Sequence, residues 1–313
     1  MNGSFWYASA MLGFLNVNKP LGPTSHDIVA RVRRLLPRGV SVGHAGTLDP
    51  FASGVLVVCV GGACRLASLV MGQDKKYVTT IRLGASSDTD DRTGTVTPLP
   101  GAVAPDESRV REVLRTFVGE IAQVPPSHSA ALVEGRRAYK IARAGQEVTL
   151  PAKTVRIHRI DLLEYNWPLL KLEIGCGCGT YIRSLARDIG KALGAGGYCT
   201  ELTRTASGAF TGDIAVAPQN VDVRRDLISA LVAVPHLPKF QMTQEQVKQI
   251  LLGRRIAAAQ PQPQGEIAML DAKGELLAMG IVLPGGTLIQ PNKVLVNTHA
   301  MGINMDGPHF ISE

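Results

Sequence analysis

The chain has no long apolar run. No stretch approaches the ~20 apolar residues that a membrane-spanning helix requires. The N-terminus lacks a basic start followed by an apolar core and a cleavage site, so a cytoplasmic protein with no membrane contact is expected. Cysteine is sparse and odd in number: Cys59, Cys64, Cys176, Cys178 and Cys199. That excludes a paired secretory disulfide framework. Cys176-Gly-Cys178 has one residue between its thiols and no second pair, which is not a zinc pattern. The seven histidines form no spaced ligand motif, so no metal site is expected. Aromatic residues make up 5%, too few for a broad stacking platform for single strands. There is no internal repeat. Acidic residues are outnumbered by basic ones, 26 against 33, for a net charge of +7; that balance suits a polyanionic partner.

What is present is a turn-rich, core-forming chain. A length of 313 residues accommodates one large domain and a smaller one. An apolar content of 45% supplies a core, and 33 glycines and 19 prolines point to a strand-containing fold. Alternation predicts strands at 14–18, 75–83, 153–163 and 169–177, and an apolar run predicts a buried one at 55–60. Helices are expected at four places: from Thr24 or Ser25 with Ile28, Val29, Val32, Leu35 and Leu36 inward, over 107–118, from a Thr180 cap to Lys191, and over 222–233. Thr243 to Leu252 reads as a further short helix, and 267–270, 276–282 and 294–296 as strands of a small β-rich domain. The division expected is a loose leader over 1–12, a main domain over 13–238, a small domain over 239–300 and a polar tail over 301–313.

The organising stretch is Gly43-His44-Ala45-Gly46-Thr47-Leu48-Asp49-Pro50. Two glycines and a proline within eight residues give a loop of defined shape. Pro50 holds Asp49 in an extended or turn conformation, just ahead of the apolar run. A carboxylate held there can cap backbone N–H groups, bind a cation, or face a cleft as nucleophile or base. A second basic feature lies downstream: Arg136, Arg137, Lys140 and Arg143 surround Tyr139 and form the densest basic patch, a candidate RNA contact. Arg183 stands in the first turn of its expected helix, where the helix dipole disfavours it. Such a charge calls for a buried carboxylate as partner.

The motif loop, continued by Ala52, Ser53 and Gly54-Val55-Leu56, resembles the signature of the bacterial tRNA pseudouridine-55 synthases. Asn18-Lys19-Pro20-x-Gly22-x-Thr24-Ser25, Lys76-Tyr77, Gly179-Thr180-Tyr181-Ile182-Arg183-Ser184-Leu185 and Leu202-x-Arg204-Thr205-x-Ser207-Gly208 follow the same family's order across most of 14–210. The resemblance implies an α+β pseudouridine synthase fold, with a central mixed, mostly antiparallel sheet flanked by helices and a small C-terminal PUA-like β domain. It implies that Asp49 is the nucleophile and that Arg183 pairs with it and keeps it ionised. Tyr77 would stack on the target base and assist proton abstraction, Tyr181 would position the base, and Leu202 would line the floor beneath the uracil. His44 would fill the space vacated by a flipped nucleotide, Lys19 would sit beside the floor, and residues 123–150 would form a thumb gripping RNA. His128 and Leu132 depart from the family's usual tyrosine and lysine there, and Gly197-Tyr198-Cys199 from its Ala-His-Leu.

The implied substrate is the T stem-loop of tRNA, read by shape and backbone, with uridine 55 flipped into the site. Isomerisation needs no cofactor, and a monomer without an obligate protein partner is expected. The carboxylate could attack C1′ of the ribose, add to C6 of the base, or take a proton from C2′. Rival readings are a non-catalytic tRNA-binding or folding protein, a related synthase with another RNA target, such as the H/ACA guide-dependent enzymes, and a metal-dependent hydrolase.

Overall fold

The computed structural model describes residues 11–127 and 150–296, together with the backbone of the ribbon Leu132–Val133 and Arg136–Arg137. In chain order the strands of its first half are β1 (Gly13–Lys19), β2 (Val42–His44), β3 (Ala52–Val60), β4 (Lys75–Leu83), β5 (Ala85–Ser87), β6 (Val96–Pro98), β7 (Gly119–Gln123), β8 (Leu132–Val133) and β9 (Arg136–Arg137). Then come β10 (Lys153–Asn166), β11 (Leu169–Cys176), β12 (Gly197–Ser207), β13 (Phe210–Thr211) and β14 (Ile228–Ser229). A ten-stranded sheet runs β14-β1-β3-β12-β4-β11-β10-β7, with β13 beside β12 and β2 beside β3. Of its pairings only β12 with β3 is parallel. The architecture is therefore α+β around one large mixed sheet, as the sequence led us to expect.

Burial explains the sheet's centre. Val55 to Val60 of β3 are inaccessible on both faces, which is why this strand reads as a continuous apolar run and not an alternation. Helix α1 (Ser25–Arg34) starts at a capping box in which Thr24 accepts from the Asp27 N–H and the Asp27 carboxylate accepts from the Thr24 N–H. It buries Ile28, Val29 and Val32. Leu35, expected inside, is exposed, because it is the residue on which the helix ends. After the short α2 (Ala67–Met71) comes α3 (Glu107–Thr116), capped by Asp106. Helix α4 (Ile182–Ala192) lies on β12. Gly190 permits that approach, since a Cβ there would stand 2.4 Å from the Gly196–Gly197 backbone.

Three expectations differ in detail. The helix expected over 222–233 is α5 (Val223–Asp226), then β14, then a 3-10 turn over Ala230–Ala233. Ile228 pairs with Phe14 at the edge of the sheet and Ser229 caps the following turn, so tertiary pairing interrupts the helix. The strand expected at 294–296 is Leu288–Val294. Its polar centre and Pro291 hid it, and a register shift accommodates the proline. Thr180 does not cap α4: its hydroxyl donates to the Gly177 carbonyl, and Tyr181 is the capping residue, without a side-chain cap.

A second, five-stranded sheet contains β15 (Lys239–Gln241), β16 (Ile256–Ala257), β17 (Gly265–Leu270), β18 (Leu276–Val282) and β19 (Leu288–Val294) in the order β15-β17-β18-β19-β16. Helix α6 (Gln244–Leu251) opens at Thr243 with a second capping box. This sheet is not a loosely tethered module. Ala268, Leu270, Leu276, Met279 and Leu295 share one apolar cluster with Phe14, Val55, Val57 and Phe210 of the large sheet. Among the described residues no helix is long and apolar enough to cross a membrane.

Candidate active site

The loop between β2 and β3 is held from both ends. The Ala45 N–H donates to the Val57 carbonyl at 2.9 Å, and Gly46 turns the chain at φ +116°, a conformation open to glycine. The Ser25 hydroxyl, at the start of α1, accepts from the Leu48 N–H at 2.8 Å and donates to the Leu48 carbonyl at 3.0 Å. Gly22 donates to the Pro50 carbonyl and Ala52 to the Asp49 carbonyl. Asp49 is thus fastened on either side while its carboxylate projects from the turn.

Arg183, in the first turn of α4, meets it. Its Nε lies 3.0 Å from Asp49 Oδ2, and its Nη2 donates to Asp49 Oδ1 at 3.3 Å. This is the two-pronged arrangement guanidinium and carboxylate favour. The third nitrogen, Nη1, lies 3.3 Å from Asp91 Oδ2 and donates to the Thr89 carbonyl at 3.1 Å. The carboxylates of the 84–94 loop also serve as turn caps. Asp91 does accept from the Thr93 N–H and hydroxyl, and its other oxygen completes the Arg183 site. Only the tertiary fold shows that second contact. The loop is seated on its neighbours by Arg187, which bridges Asp90 and Asp188.

Water reaches 35% of the Asp49 side chain but only 5% of Arg183. Protein crowds the carboxylate on its other sides. Burial pushes its pKa up, and the Arg183 charge opposes this; Asp91 adds to the rise and Lys19 works against it. One guanidinium is shared between two carboxylates.

Asp49 and Arg183 open into a cavity of about 280 Å³, whose wall includes Tyr77, Tyr181, Leu202 and Arg204. Leu202 comes from β12, opposite Ala52 of β3 and Thr79 of β4. Tyr77 is buried on β4, and burial raises its pKa; the Arg204 charge is the main opposing influence. Tyr181 is steered through its backbone: its N–H donates to Gln123 Oε1 at 2.8 Å, and Gln123 Nε2 donates to its carbonyl at 3.1 Å. Gln123 and Arg204 carried no predicted role. A polar side chain at an inward position of an otherwise apolar pattern is the signal that marks both.

The remaining predicted residues fall elsewhere. Lys19 is fully buried and does not line the cavity. Its ammonium donates to the Pro20 and Pro23 carbonyls, at 2.9 and 2.8 Å, and so pins the turn after β1. Burial lowers its pKa to about 8; Asp49 opposes the fall and Arg204 deepens it. His44 sits on β2 opposite Val58, outside the cavity wall, with its Nδ1 buried and lacking a hydrogen-bond partner. Burial, then Arg204 and His26, lower its pKa. Only the backbone of Arg136 and Arg137 is described, in a ribbon with Leu132 and Val133. Lys140, Arg143 and most of the expected thumb over 123–150 lie outside the described residues, as do 1–10 of the leader and the 301–313 tail. Among the described residues no group of three or more His, Cys, Asp or Glu side chains is arranged to hold a metal ion.

Comparison with known proteins adds a second line of evidence. Residues 33–182 match the family model described as TruB family pseudouridylate synthase, N terminal domain. A tRNA pseudouridine synthase B of Syntrophomonas wolfei is 37% identical over 296 residues, covering 91% of this chain and 98% of that protein. One of Synechocystis is 40% identical over 298 residues, covering 91% of this chain and all of that protein. Among solved structures, a Cbf5-Nop10-Gar1 complex contains a chain superposing with a TM-score of 0.66 at 26% identity, over 92% of this chain and 86% of that one.

Proposed function

The chain belongs to the TruB family of pseudouridylate synthases, and from that premise we propose that it isomerises uridine 55 in the T loop of tRNA to pseudouridine, with Asp49 as the reacting carboxylate. It is a tRNA pseudouridine synthase, an isomerase. The observation that carries the assignment of Asp49 is its position in the wall of the cavity, fastened by two prongs of a buried arginine.

Each of the three routes open to a carboxylate needs it ionised and aimed. Arg183 supplies the aim and offsets the desolvation that raises the Asp49 pKa. Asp91 takes part of the same guanidinium, so Asp49 is oriented without being fully neutralised. Tyr77 covers one face of the base and accepts the proton that leaves C5. Tyr181 sets the base's position, and Leu202 forms the apolar floor. The target nucleotide reaches this cavity only after leaving its stack, and His44, half-buried at the end of β2 where the loop begins, fills the gap left in the RNA. The basic face of α1, with Arg31 and Arg34, Arg38 in the turn that follows it, and the 136–143 patch contact phosphates. Residues 13–238 form the catalytic domain, and 239–300 extend the RNA-binding surface. The protein acts in the cytoplasm as a monomer.

The test is a T-arm stem-loop incubated with the parent protein and with Asp49→Asn. Pseudouridine should form only with the parent. Equal product from both would remove Asp49 from the chemistry. Binding of the stem-loop by Asp49→Asn separates loss of chemistry from loss of recognition.

A further inference from the structure

Arg204 is, among the described residues, the largest side chain with almost no exposure, 2% of the residue. Among the described residues no carboxylate pairs with it. Three backbone carbonyls accept from its guanidinium: Nε donates to the Val55 carbonyl at 2.7 Å, Nη2 to the Gly46 carbonyl at 3.0 Å, and Nη1 to the Thr47 carbonyl at 3.4 Å. Gly46 and Thr47 are the loop that presents Asp49, and Val55 is the strand that follows it. On β12, Arg204 stands directly opposite Tyr77 of β4 and Gly54 of β3. Gly54 is what lets the strands close here, since a Cβ on it would lie 2.2 Å from the Arg204 carbonyl oxygen. An unpaired buried guanidinium is costly. Here it lies in the wall of the reaction cavity, bonded to the loop that carries Asp49 and opposite Tyr77 on the neighbouring strand.

We propose that Arg204 is a positioning residue that locks the Asp49 loop to the strand carrying Tyr77 and supplies the positive field that favours the Tyr77 phenolate. This rests on the roles given above to Asp49 and Tyr77. The proton balance of the isomerisation shows why such a field matters. C5 gives up a proton and N1 gains one, so the tyrosinate oxygen takes the first and the proton passes on to N1, leaving the enzyme unchanged. The field of Arg204 is felt across the site: its charge also acts on Lys19 and His44. Burial raises the Tyr77 pKa, and Arg204 opposes that rise both by charge and through its side-chain interaction with the phenol.

The experiment compares the parent with Arg204→Lys and Arg204→Met for melting, T-arm binding and single-turnover rate, from about pH 6 to about pH 9. Binding should stay within about threefold, while the rate falls on the order of 10²-fold for the methionine variant. The lysine variant should recover part of that loss. In the methionine variant the rising limb of the pH–rate profile should move to higher pH, which a purely structural role would not cause. A folded lysine or methionine variant with the parent rate overturns the proposal. So does a rate loss with an unmoved pH profile, or failure of both variants to fold, which would make Arg204 a framework residue. Asp49→Asn is run alongside: activity in that variant would defeat the nucleophile assignment itself, whereas an inactive Asp49→Asn with an unaffected Arg204→Lys defeats only this inference.

Discussion

Gln123→Leu tests how the cavity is held together. Gln123 is 1% exposed and uses both ends of its amide on one residue, the Tyr181 backbone at the start of α4. Leucine has a similar volume, so packing of the last residue of β7 is largely kept. Two hydrogen bonds are lost, at about 1 kcal/mol each, and a half-buried N–H is left without a partner, at about 1 kcal/mol more. The expected destabilisation is therefore about 3 kcal/mol by urea denaturation. Tyr181 directly precedes α4, so loosening its backbone also frees Tyr181 and, two residues on, Arg183. A displacement of about 1 Å at such groups costs on the order of 10²-fold in rate. The assay is single-turnover conversion of a T-arm stem-loop below the unfolding transition, beside equilibrium binding. Gln123→Glu is the informative partner: one carboxylate oxygen still accepts from the Tyr181 N–H, but the other donates nothing to the Tyr181 carbonyl, which keeps only the Leu185 N–H, and the new charge is buried. A stability loss at least as large is expected at neutral pH, easing as the carboxyl protonates at lower pH. A Gln123→Leu protein within about 0.5 kcal/mol of the parent, or one turning over at the parent rate, would refute the view that this amide positions Tyr181 and Arg183.

Four further outcomes follow from the geometry. Because burial and Asp91 raise the Asp49 pKa, the most acidic step of the pH–rate profile, below the one assigned to Tyr77, should lie above the ordinary aspartate value of about 3.9; Asp91→Asn should move it down and Arg183→Met up. A carboxylate whose pKa is raised by folding stabilises most when protonated, and loses that contribution as pH rises through its folded value. Asp49→Asn should therefore melt at or above the parent at neutral pH, with Arg183 still held by Asp91 and the Thr89 carbonyl. Gly62→Val should cost about 3 kcal/mol by overpacking, because a Cβ at Gly62 would stand 1.7 Å from the Leu295 carbonyl oxygen, where the two sheets meet; differential scanning calorimetry would read it. Ser25→Ala removes both hydroxyl bonds to Leu48 and should lower stability by about 2 kcal/mol, with the rate falling more than the affinity.

Much of this was legible from residue pattern alone. The helix start at Thr24 or Ser25, the apolar run of β3 and the alternation of β4 and β11 are local signals, and local propensity agreed with the tertiary outcome there. The break of the 222–233 segment and the polar strand Leu288–Val294 were not legible, because pairing partners far away in the chain decide both. Leu35 shows the limit of periodicity: it has the right spacing for the buried face but stands where the helix ends.

The site divides in the same way. Its glycines, the proline behind Asp49 and the misplaced charge of Arg183 are properties of the chain, since backbone freedom and the helix dipole act within a few residues. That Arg183 serves Asp49 and Asp91 together, that Gln123 holds Tyr181, and that Arg204 lies under the loop opposite Tyr77 follow only from strand order. These partners come from segments far apart in sequence, and β12 entering between β3 and β4 brings them within hydrogen-bonding range. Short-range physics chose the pieces of the cavity, and long-range packing chose which of them touch.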